Sequence, residues 1–593
     1  MGEGSVVTST PGSGTPRAAA AAAGGGGWRA RALLAAAAVA LAISASSALA
    51  QQPPSSGTLL KELGPTVQPP LPQTLPPPLA APPEAVPIQG GATTLVTDFH
   101  IVAKQFPEAA LKALLKDYVG RRLTLADLQE AAGKISEYYR AHDILARAYV
   151  PQQKIENGVV EIIVLEGTLG AITVDPASVT RLDPSLATGI VGARAPVGQI
   201  LHPRDIQEGV AILNEIPGVA AAATLVPGAN PGETNADLKL ADRPLFSGLV
   251  QTDNEGQRFA GAHRLIESVS ANDPFGLGEQ ATLTALQTTG STYSRFAFAL
   301  PVGTSGLTLG IDGSGLLFHL GVPFDMLSEG GYAYTGGLTA AYPIRRTPDL
   351  ALTALASFDH KRLVDWALGT DTSNHAIEVG NLRLVGLWPD QFLGGGLNNF
   401  GIGGTLGTLD RSAVAADLAA DRVTARTNGT YGKLSGNLSR VQALFDRTEL
   451  YLAFSGQLAF KNLESSEQFS LGGPDGVRAY PVTEASGDNG AIGTLELRRR
   501  IIEGLQLIGF YDVGGIELHE STWKGWQTVP GQPDLYLLQG VGVGASWAPI
   551  EGLLAKATYA RAIGDNPGHD INGNDSDGKH SKNRFWLQLS YVF

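Results

Sequence analysis

From about residue 245 to its end at residue 593, the chain alternates apolar and polar residues within short segments. The segment LTLGIDG places its apolar side chains on one face, namely Leu307, Leu309 and Ile311. The segment LYLAFSGQLAF does the same with Leu450, Leu452, Phe454, Leu458 and Phe460. The chain ends in RFWLQLSYVF, whose apolar face consists of Phe585, Leu587, Leu589, Tyr591 and Phe593. Such segments, separated by turns rich in Gly, Asp and Asn, are typical of a transmembrane antiparallel β-barrel.

The N-terminus favours a membrane barrel over a soluble β-sandwich or propeller, which also alternates. Residues 1–50 predict a secretory signal peptide with an extended, Gly- and Ala-rich start. In it, Arg29 and Arg31 precede the apolar run ALLAAAAVALAI, and SSALAQ supplies an Ala-x-Ala cleavage site before Gln51. No later stretch has about 18 consecutive apolar residues. A membrane-inserted form must therefore be a barrel, because only helices and closed barrels satisfy every backbone hydrogen bond in lipid.

Composition argues against several classes of function. The chain has no cysteine, which excludes disulfides, cysteine-based zinc sites and thiol catalysis. Its net charge of -13 and the lack of a Lys/Arg cluster argue against nucleic-acid binding. The loop DINGNDSDGKH resembles a calcium loop, but Asp575 stands where Gly is required and Ser581 where Glu is required. Since hydrolase and metalloprotease motifs are also missing, we expect no enzymatic activity, no cofactor and no metal.

A proline-rich linker precedes the folded part of the chain. Residues 51–94 include VQPPLPQTLPPPLAAPPEAVP, which predicts a semi-rigid, extended spacer. Residues 57–64, GTLLKELG, are a helical candidate within it. So short a helix is unstable alone in water, and its helicity would come from docking.

Two copies of a small α/β unit follow the linker. Residues 95–168 predict the order β-α-α-β-β, ending in a strand pair around the Asn157–Gly158 turn. Residues 169–244 repeat this order more weakly, from LGAITVD to NADLKLADR. Two tandem copies favour a docking array over a catalytic domain.

These segments together resemble the outer-membrane transporters of two-partner secretion, the TpsB family of ShlB and FhaC type. ARAYVPQQKIENGVVEIIVLEG, residues 146–167, resembles the end of that family's first polypeptide-transport-associated (POTRA) domain. QTDNEGQRFAGAHRL with NDPFGLGEQATL resembles its first barrel hairpin. VRAY, within LGGPDGVRAYP, resembles the VRGF/Y motif of its sixth extracellular loop, and GFYDVGG resembles its strand motif F-x-D-x-G.

The resemblance implies a mainly β fold: a sixteen-stranded barrel at residues 245–593 preceded by two POTRA domains. It implies a location in the outer membrane of a Gram-negative bacterium, with the POTRA domains in the periplasm. There they would capture an unfolded exoprotein of haemolysin, haemagglutinin or adhesin type for export through the barrel, and residues 57–64 would plug the pore. Outer-membrane lipid, periplasmic chaperones and the barrel assembly machinery are the other implied partners. Two alternatives stay open: an assembly factor of the BamA/TamA type, and a passive porin.

The two motifs supply a candidate site in the barrel lumen. The loop motif corresponds to Gly476, Val477, Arg478 and Tyr480, and the strand motif to Phe510, Asp512 and Gly514. Alternation turns Asp512 inward, where Arg478 can reach its carboxylate if the loop folds inward as in the family. Glu496, inward by the same alternation, is a second candidate partner, and a solvated loop arginine is the alternative. Ala479 replaces the motif's glycine, which leaves the backbone of the loop tip open.

Two further sets of residues complete the expectations. A passenger can bind by adding a strand to an exposed sheet edge. The candidate edges are the last strands of the two α/β units, with Val160, Ile162, Val164, Leu238 and Leu240. Tyr591 and Phe593 form the aromatic end that we expect to act as the barrel's C-terminal signal.

Overall fold

The structure is a computed structural model that describes residues 53–63 and 93–593. The predicted signal peptide and most of the proline-rich linker lie outside these described residues. Within the two described ranges, no helix combines the length and the apolar character needed to cross a membrane.

A short helix, α1 (Ser56–Leu63), forms where residues 57–64 predict one. It buries Leu59, Leu60 and Leu63 in one cluster with barrel side chains such as Tyr293 and Leu363. The helix thus lies inside the barrel and is stabilised by docking, as its length requires.

The first α/β module has the predicted order β-α-α-β-β, with two additional two-residue strands, β1 (Thr94–Leu95) and β3 (Arg122–Leu123), that pair with each other. The elements of that order are β2 (Asp98–Val102), α2 (Glu108–Leu114), α3 (Leu125–Ala141), β4 (Ala146–Tyr149) and β5 (Val159–Glu166). Thr124 and Asp127 form a capping box that begins α3. Asn157 and Gly158 take positive φ values of 56° and 76°, as a tight turn before β5 requires.

The second module repeats the arrangement. Its elements are β6 (Thr168–Val174), α4 (Pro184–Arg194), α5 (Pro203–Glu215), β7 (Val219–Pro227) and β8 (Glu233–Asp242). The strand orders are β2-β5-β4 in the first module and β6-β8-β7 in the second. The last strand of each module, β5 or β8, pairs in parallel with β2 or β6, respectively, and antiparallel with the strand before it.

This topology overturns the predicted binding edges. The strands β5 and β8 are central, because each pairs with the preceding strand on one side and with β2 or β6, respectively, on the other. The five side chains proposed as edge residues belong instead to the two module cores: Val160, Ile162, Val164, Leu238 and Leu240. The outer strands are β2 and β4 in the first module, and β6 and β7 in the second.

In the described part of the chain, sixteen strands close into an antiparallel barrel, which confirms the predicted fold class. The first eleven are β9 (Phe246–Asp253), β10 (Arg264–Asn272), β11 (Gln280–Gln287), β12 (Ser291–Pro301), β13 (Thr308–His319), β14 (Gly330–Thr347), β15 (Leu350–Ala367), β16 (Thr370–Asp390), β17 (Gly396–Asp410), β18 (Gly429–Phe445) and β19 (Thr448–Ala459). Two short strands, β20 (Phe469–Ser470) and β21 (Ser486–Gly487), pair within the next loop. The last five barrel strands are β22 (Asn489–Ile502), β23 (Leu505–Glu517), β24 (Leu535–Trp547), β25 (Leu553–Ile563) and β26 (Asn583–Val592). Two loops carry short helices, at Arg258–Gly261 and Ala415–Val423.

The predicted apolar faces lie on the outside of the barrel. Ile311, Phe454 and Phe585 are 53%, 55% and 64% exposed. Such exposure of large apolar side chains is expected of a surface that lipid covers.

Charged groups fix the second module to one end of the barrel. Arg346 of β14 donates from its side chain to Glu215 of α5 and from its backbone to Glu208, at 3.2 Å. Arg194 of α4 donates to the carbonyl oxygens of Pro343 and Ser305, at 2.8 and 3.2 Å. The barrel mouth and this module therefore form one joined unit.

Candidate functional site

The site is built on the loop between β19 and β22. Its residues 471–485, called here the latch loop, fold into the barrel through tight turns, such as the one in which the Tyr480 N–H donates to Val477 O at 3.1 Å. Val477, Ala479 and Tyr480 are buried together with Phe510 of β23 in one apolar cluster. This packing on the barrel wall positions the intervening Arg478.

Arg478 contacts both predicted partners. Its Nε and Nη2 donate to the two carboxylate oxygens of Asp512 at 2.8 and 2.7 Å. Its Nη1 donates to Glu496 Oε1 at 2.6 Å, and its guanidinium lies 3.5 Å from the centre of the Phe510 ring. The side chains of Arg478 and Asp512 are only 13% and 0% exposed. The bidentate geometry fixes orientation as well as charge, and the arginine is not a solvated loop residue.

Neighbouring groups complete the hydrogen bonding of the two carboxylates. Asp512 also accepts from Thr494 Oγ1 at 3.1 Å and from the Arg478 backbone N–H at 3.2 Å. Glu496 accepts from Arg498 Nε at 2.7 Å. Two cations therefore balance two carboxylates, as a buried charge cluster requires.

The backbone at Ala479 is now defined. Ala479 is not among the positive-φ residues of the described chain, so alanine bears no backbone strain there. Its methyl group faces Gly540 of β24, where an added Cβ would lie 2.6 Å from the Ala479 Cβ. A glycine on the facing strand thus makes room for the alanine in the loop.

The end of the latch loop joins the loop between β25 and β26. Glu484 accepts from Asn566 Nδ2 at 2.7 Å and from the Ser576 N–H at 2.6 Å. Burial, with the nearby Asp575 carboxylate, raises the pKa of Glu484 to about 7. Arg584 of β26 binds Asp575 and Asp577 on the far side of this network.

The helix α1 is held in the lumen by polar contacts at both ends. The Ser56 N–H donates to Asp365 Oδ1 at 2.6 Å, and Glu62 Oε1 accepts from the Gln257 N–H at 2.8 Å. Burial raises the pKa of Glu62 to about 7.

A second charge cluster lies beside α1 and was not foreseen. Glu467 binds Lys361 at 2.7 Å and Lys433 at 2.9 Å. Burial alone would raise the pKa of Glu467, but these two ammonium groups lower it to about 2. The lysines occupy lumenal positions of β15 and β18, so their place in the strand alternation was a usable signal.

The two C-terminal aromatic residues lie at the junction of β9 and β26. Phe593 exchanges backbone hydrogen bonds with Gly248 at 3.0 and 2.9 Å. The Tyr591 and Phe593 rings stack with centroids 6.4 Å apart. Trp586, which sequence reasoning missed, donates from Nε1 to the Arg478 carbonyl oxygen at 2.8 Å. An aromatic residue between Arg584 and Gln588 on the polar face of β26 was the signal for it.

Comparison with known proteins decides the family. The model of the haemolysin secretion/activation proteins ShlB/FhaC/HecB matches residues 232–546. The chain belongs to this family. A model of the ShlB-type POTRA domain matches residues 97–167, so the first α/β module is a POTRA domain.

Relatives of this TpsB chain span most of its length. The heme/hemopexin transporter protein HuxB of Haemophilus influenzae is 26% identical over 491 residues, covering 82% of this chain and 84% of HuxB. The outer membrane transporter CdiB of Dickeya dadantii is 25% identical and covers 65% of this chain and 68% of CdiB. The solved structure of CdiB from Escherichia coli superposes with a TM-score of 0.67 at 19% identity, covering 87% of this chain and 94% of that one, and supports the fold.

These findings confirm the predicted function. The chain is an outer-membrane transporter of two-partner secretion, with POTRA domains in the periplasm, and it works with a secreted exoprotein. The passive porin and the BamA/TamA-type assembly factor are therefore set aside.

Proposed function

We propose that α1 closes the resting transporter, and that an exoprotein captured by the POTRA domains displaces α1 on its way through the barrel. The observation that carries this proposal is the docking of α1 in the lumen. Its leucines pack on the inner wall, and Asp365 and Gln257 bind its two ends. A chain cannot share that volume with α1, so transport requires the helix to leave.

Capture occurs at β7, the longest outer strand of the two modules. Asn214 of α5 donates from Nδ2 to Ala221 O at 2.7 Å and accepts from the Ala221 N–H at 3.0 Å. Its amide thus pairs with the backbone on the free side of β7, as a neighbouring strand would. Because hydrogen-bonding direction alternates along a strand, the backbone groups of Ala223 also point to that free side.

The position of β7 suits transfer to the pore. Gly218, just before β7, lies against Asn272 at the end of β10. An extended exoprotein segment added to β7 therefore begins at the barrel mouth. The latch loop keeps its place on the wall during transport, since Arg478 joins it to β22 and β23.

A proline pair tests capture at β7. Ala223→Pro removes an N–H on the free side, whereas Ala222→Pro removes one that bonds to β8 and serves as the unfolding control. We expect Ala223→Pro to insert normally, to keep its Tm and to lose most secretion. Normal secretion by Ala223→Pro would exclude this edge as the capture site.

A disulfide tests displacement of α1. The chain has no native cysteine, so a cysteine at Ser55 and another at Ser465, whose hydroxyls lie 2.7 Å apart, form a single defined crosslink. We expect secretion to stop under oxidation and to return on reduction, while each single variant secretes under both conditions. Equal secretion in the oxidised and reduced double variant would contradict the displacement of α1.

A further inference from the structure

The junction of the first and last barrel strands, called here the seam, is paired along only part of its length. Residues Leu249–Asp253 of β9 pair with Gln588–Val592 of β26. On its other side, β26 pairs with β25 from Asn583 to Tyr591. The segment Asn583–Leu587 therefore has a partner strand on one side only.

One side chain continues the seam beyond the paired residues. Asn254, just after β9, donates from Nδ2 to Phe585 O at 2.9 Å and accepts from the Leu587 N–H at 2.7 Å. Its own N–H donates to Leu587 O at 3.2 Å. The side-chain amide of Asn254 thus makes the hydrogen bonds that the backbone of one more residue of β9 would make. It does not fix the orientation of the segment as a second paired strand would.

The lumenal face of the same segment is attached to the latch loop. Trp586 is 7% exposed, and its indole N–H donates to the Arg478 carbonyl oxygen at 2.8 Å. The side chain of Arg478 is bound at the same time to Asp512 of β23 and Glu496 of β22. Arg478 of the latch loop therefore connects β22 and β23 with β26, the last strand, which forms one side of the seam.

We propose that Trp586 is a positioning residue that couples the latch loop to closure of the seam. While Arg478 occupies its carboxylate pocket, its carbonyl oxygen holds the indole and keeps Asn583–Leu587 in line with Asn254. When the latch loop leaves the wall, the indole loses its acceptor, and the segment is held by its pairing with β25, by Asn254 and by Arg584 at its outer end. Opening of the seam and movement of the loop are then one equilibrium.

This coupling rests on the latch role of Arg478, but the test reads the seam without secretion. Hydrogen exchange is measured by mass spectrometry on the full chain in nanodiscs, using peptides that cover residues 583–592. The Leu587 N–H, bound to the Asn254 side chain, reports the seam directly. Trp586→Phe keeps an aromatic side chain and removes the indole N–H.

We expect Trp586→Phe to speed exchange of this segment by about 2- to 12-fold, the effect of one hydrogen bond. Arg478→Ala, which leaves Trp586 intact, should speed the same amides, and the double variant should exceed Arg478→Ala by less than the Trp586→Phe factor. Trp547→Phe is the matched control, since Trp547 is 49% exposed on the lipid side and should change nothing at the seam.

Two results would overturn the proposal. The first is exchange at residues 583–592 that stays at the wild-type rate in Trp586→Phe. The second is faster exchange in the latch loop of Arg478→Ala with no change in exchange at residues 583–592. If both variants loosen the seam while secretion by Arg478→Ala stays normal, the coupling stands, and the proposal that secretion needs the docked latch loop fails.

Discussion

Replacing Arg478 with alanine perturbs the site most directly. The change removes two hydrogen bonds to Asp512 and one to Glu496, and leaves both carboxylates buried. Loss of one partner of a buried charge cluster costs about 3–5 kcal/mol. Thr494 and the backbone N–H still donate to Asp512, and Arg498 still donates to Glu496. We therefore expect the docked latch loop to be destabilised by about 3 kcal/mol, the lower end of this range. That value corresponds to about a 100-fold larger fraction of released latch loop.

Thiol labelling measures this fraction. Val477 is fully buried next to Arg478, and Val477→Cys introduces the only cysteine of the chain without adding volume. When release of the loop is fast compared with labelling, the maleimide rate follows the released fraction. We expect the rate in Val477→Cys/Arg478→Ala to rise about 100-fold over Val477→Cys alone.

The matched control is Arg500→Ala, an exposed arginine at the other end of the strand that carries Glu496. It should label at the Val477→Cys rate. A rate in Arg478→Ala within threefold of that control would refute the argument that this charge cluster holds the loop.

Three further outcomes follow from the contacts of α1, the latch loop and the second module. Leu59→Asp buries a charge in the α1 contact and should raise single-channel conductance in planar bilayers, whereas unchanged conductance would show that α1 does not close the pore. Because the pKa of Glu484 is raised to about 7 from an ordinary 4.5, the docked loop holds its proton more tightly than the released loop does. Docking should therefore weaken from pH 4.5 to 7 and then level off. Exchange of latch-loop amides, corrected for the intrinsic rate, should show this slope in the wild type and lose it in Glu484→Gln. Arg346→Ala removes the contact to Glu215 and should speed exchange in α5 while the barrel amides keep their protection; unchanged exchange in α5 would exclude Arg346 as the anchor.

Much of the fold followed from local pattern. Alternation identified the lipid-facing residues of the barrel strands, because period two is a backbone property that each strand shows alone. Helical spacing and the Asn157–Gly158 turn gave the order of elements in the first module. The number of barrel strands came from the family resemblance, since alternation does not count strands.

The order of the strands within each module's sheet could not be predicted from local sequence pattern. Val160 and Ile162 lie on a strand that pairs on both sides, and the second pairing is made by a strand about 60 residues earlier. A run such as GVVEIIVLEG fits a central strand, whose buried residues form near-continuous apolar runs, better than an edge.

The site could be predicted where strand alternation and complementary charge pointed to the same residues. Asp512 and Glu496 were placed in the lumen by register, and they supply complementary charge for Arg478. Trp586 could not be linked to Arg478, because the contact depends on how the loop crosses the lumen to β26. The space that Gly540 leaves for Ala479 depends on the same path.

Secretion of the partner exoprotein, to be sought in the reading frames beside the transporter gene, tests the central claim most directly. Both genes are expressed in a Gram-negative host without a system of this kind, and the exoprotein is measured in the medium and in the periplasm. We expect it in the medium with the wild-type transporter and with Arg500→Ala, and in the periplasm with Arg478→Ala or with Ala223→Pro. Its appearance in the medium without the transporter, or its retention in the periplasm with the wild type, would contradict the claim that this barrel exports it.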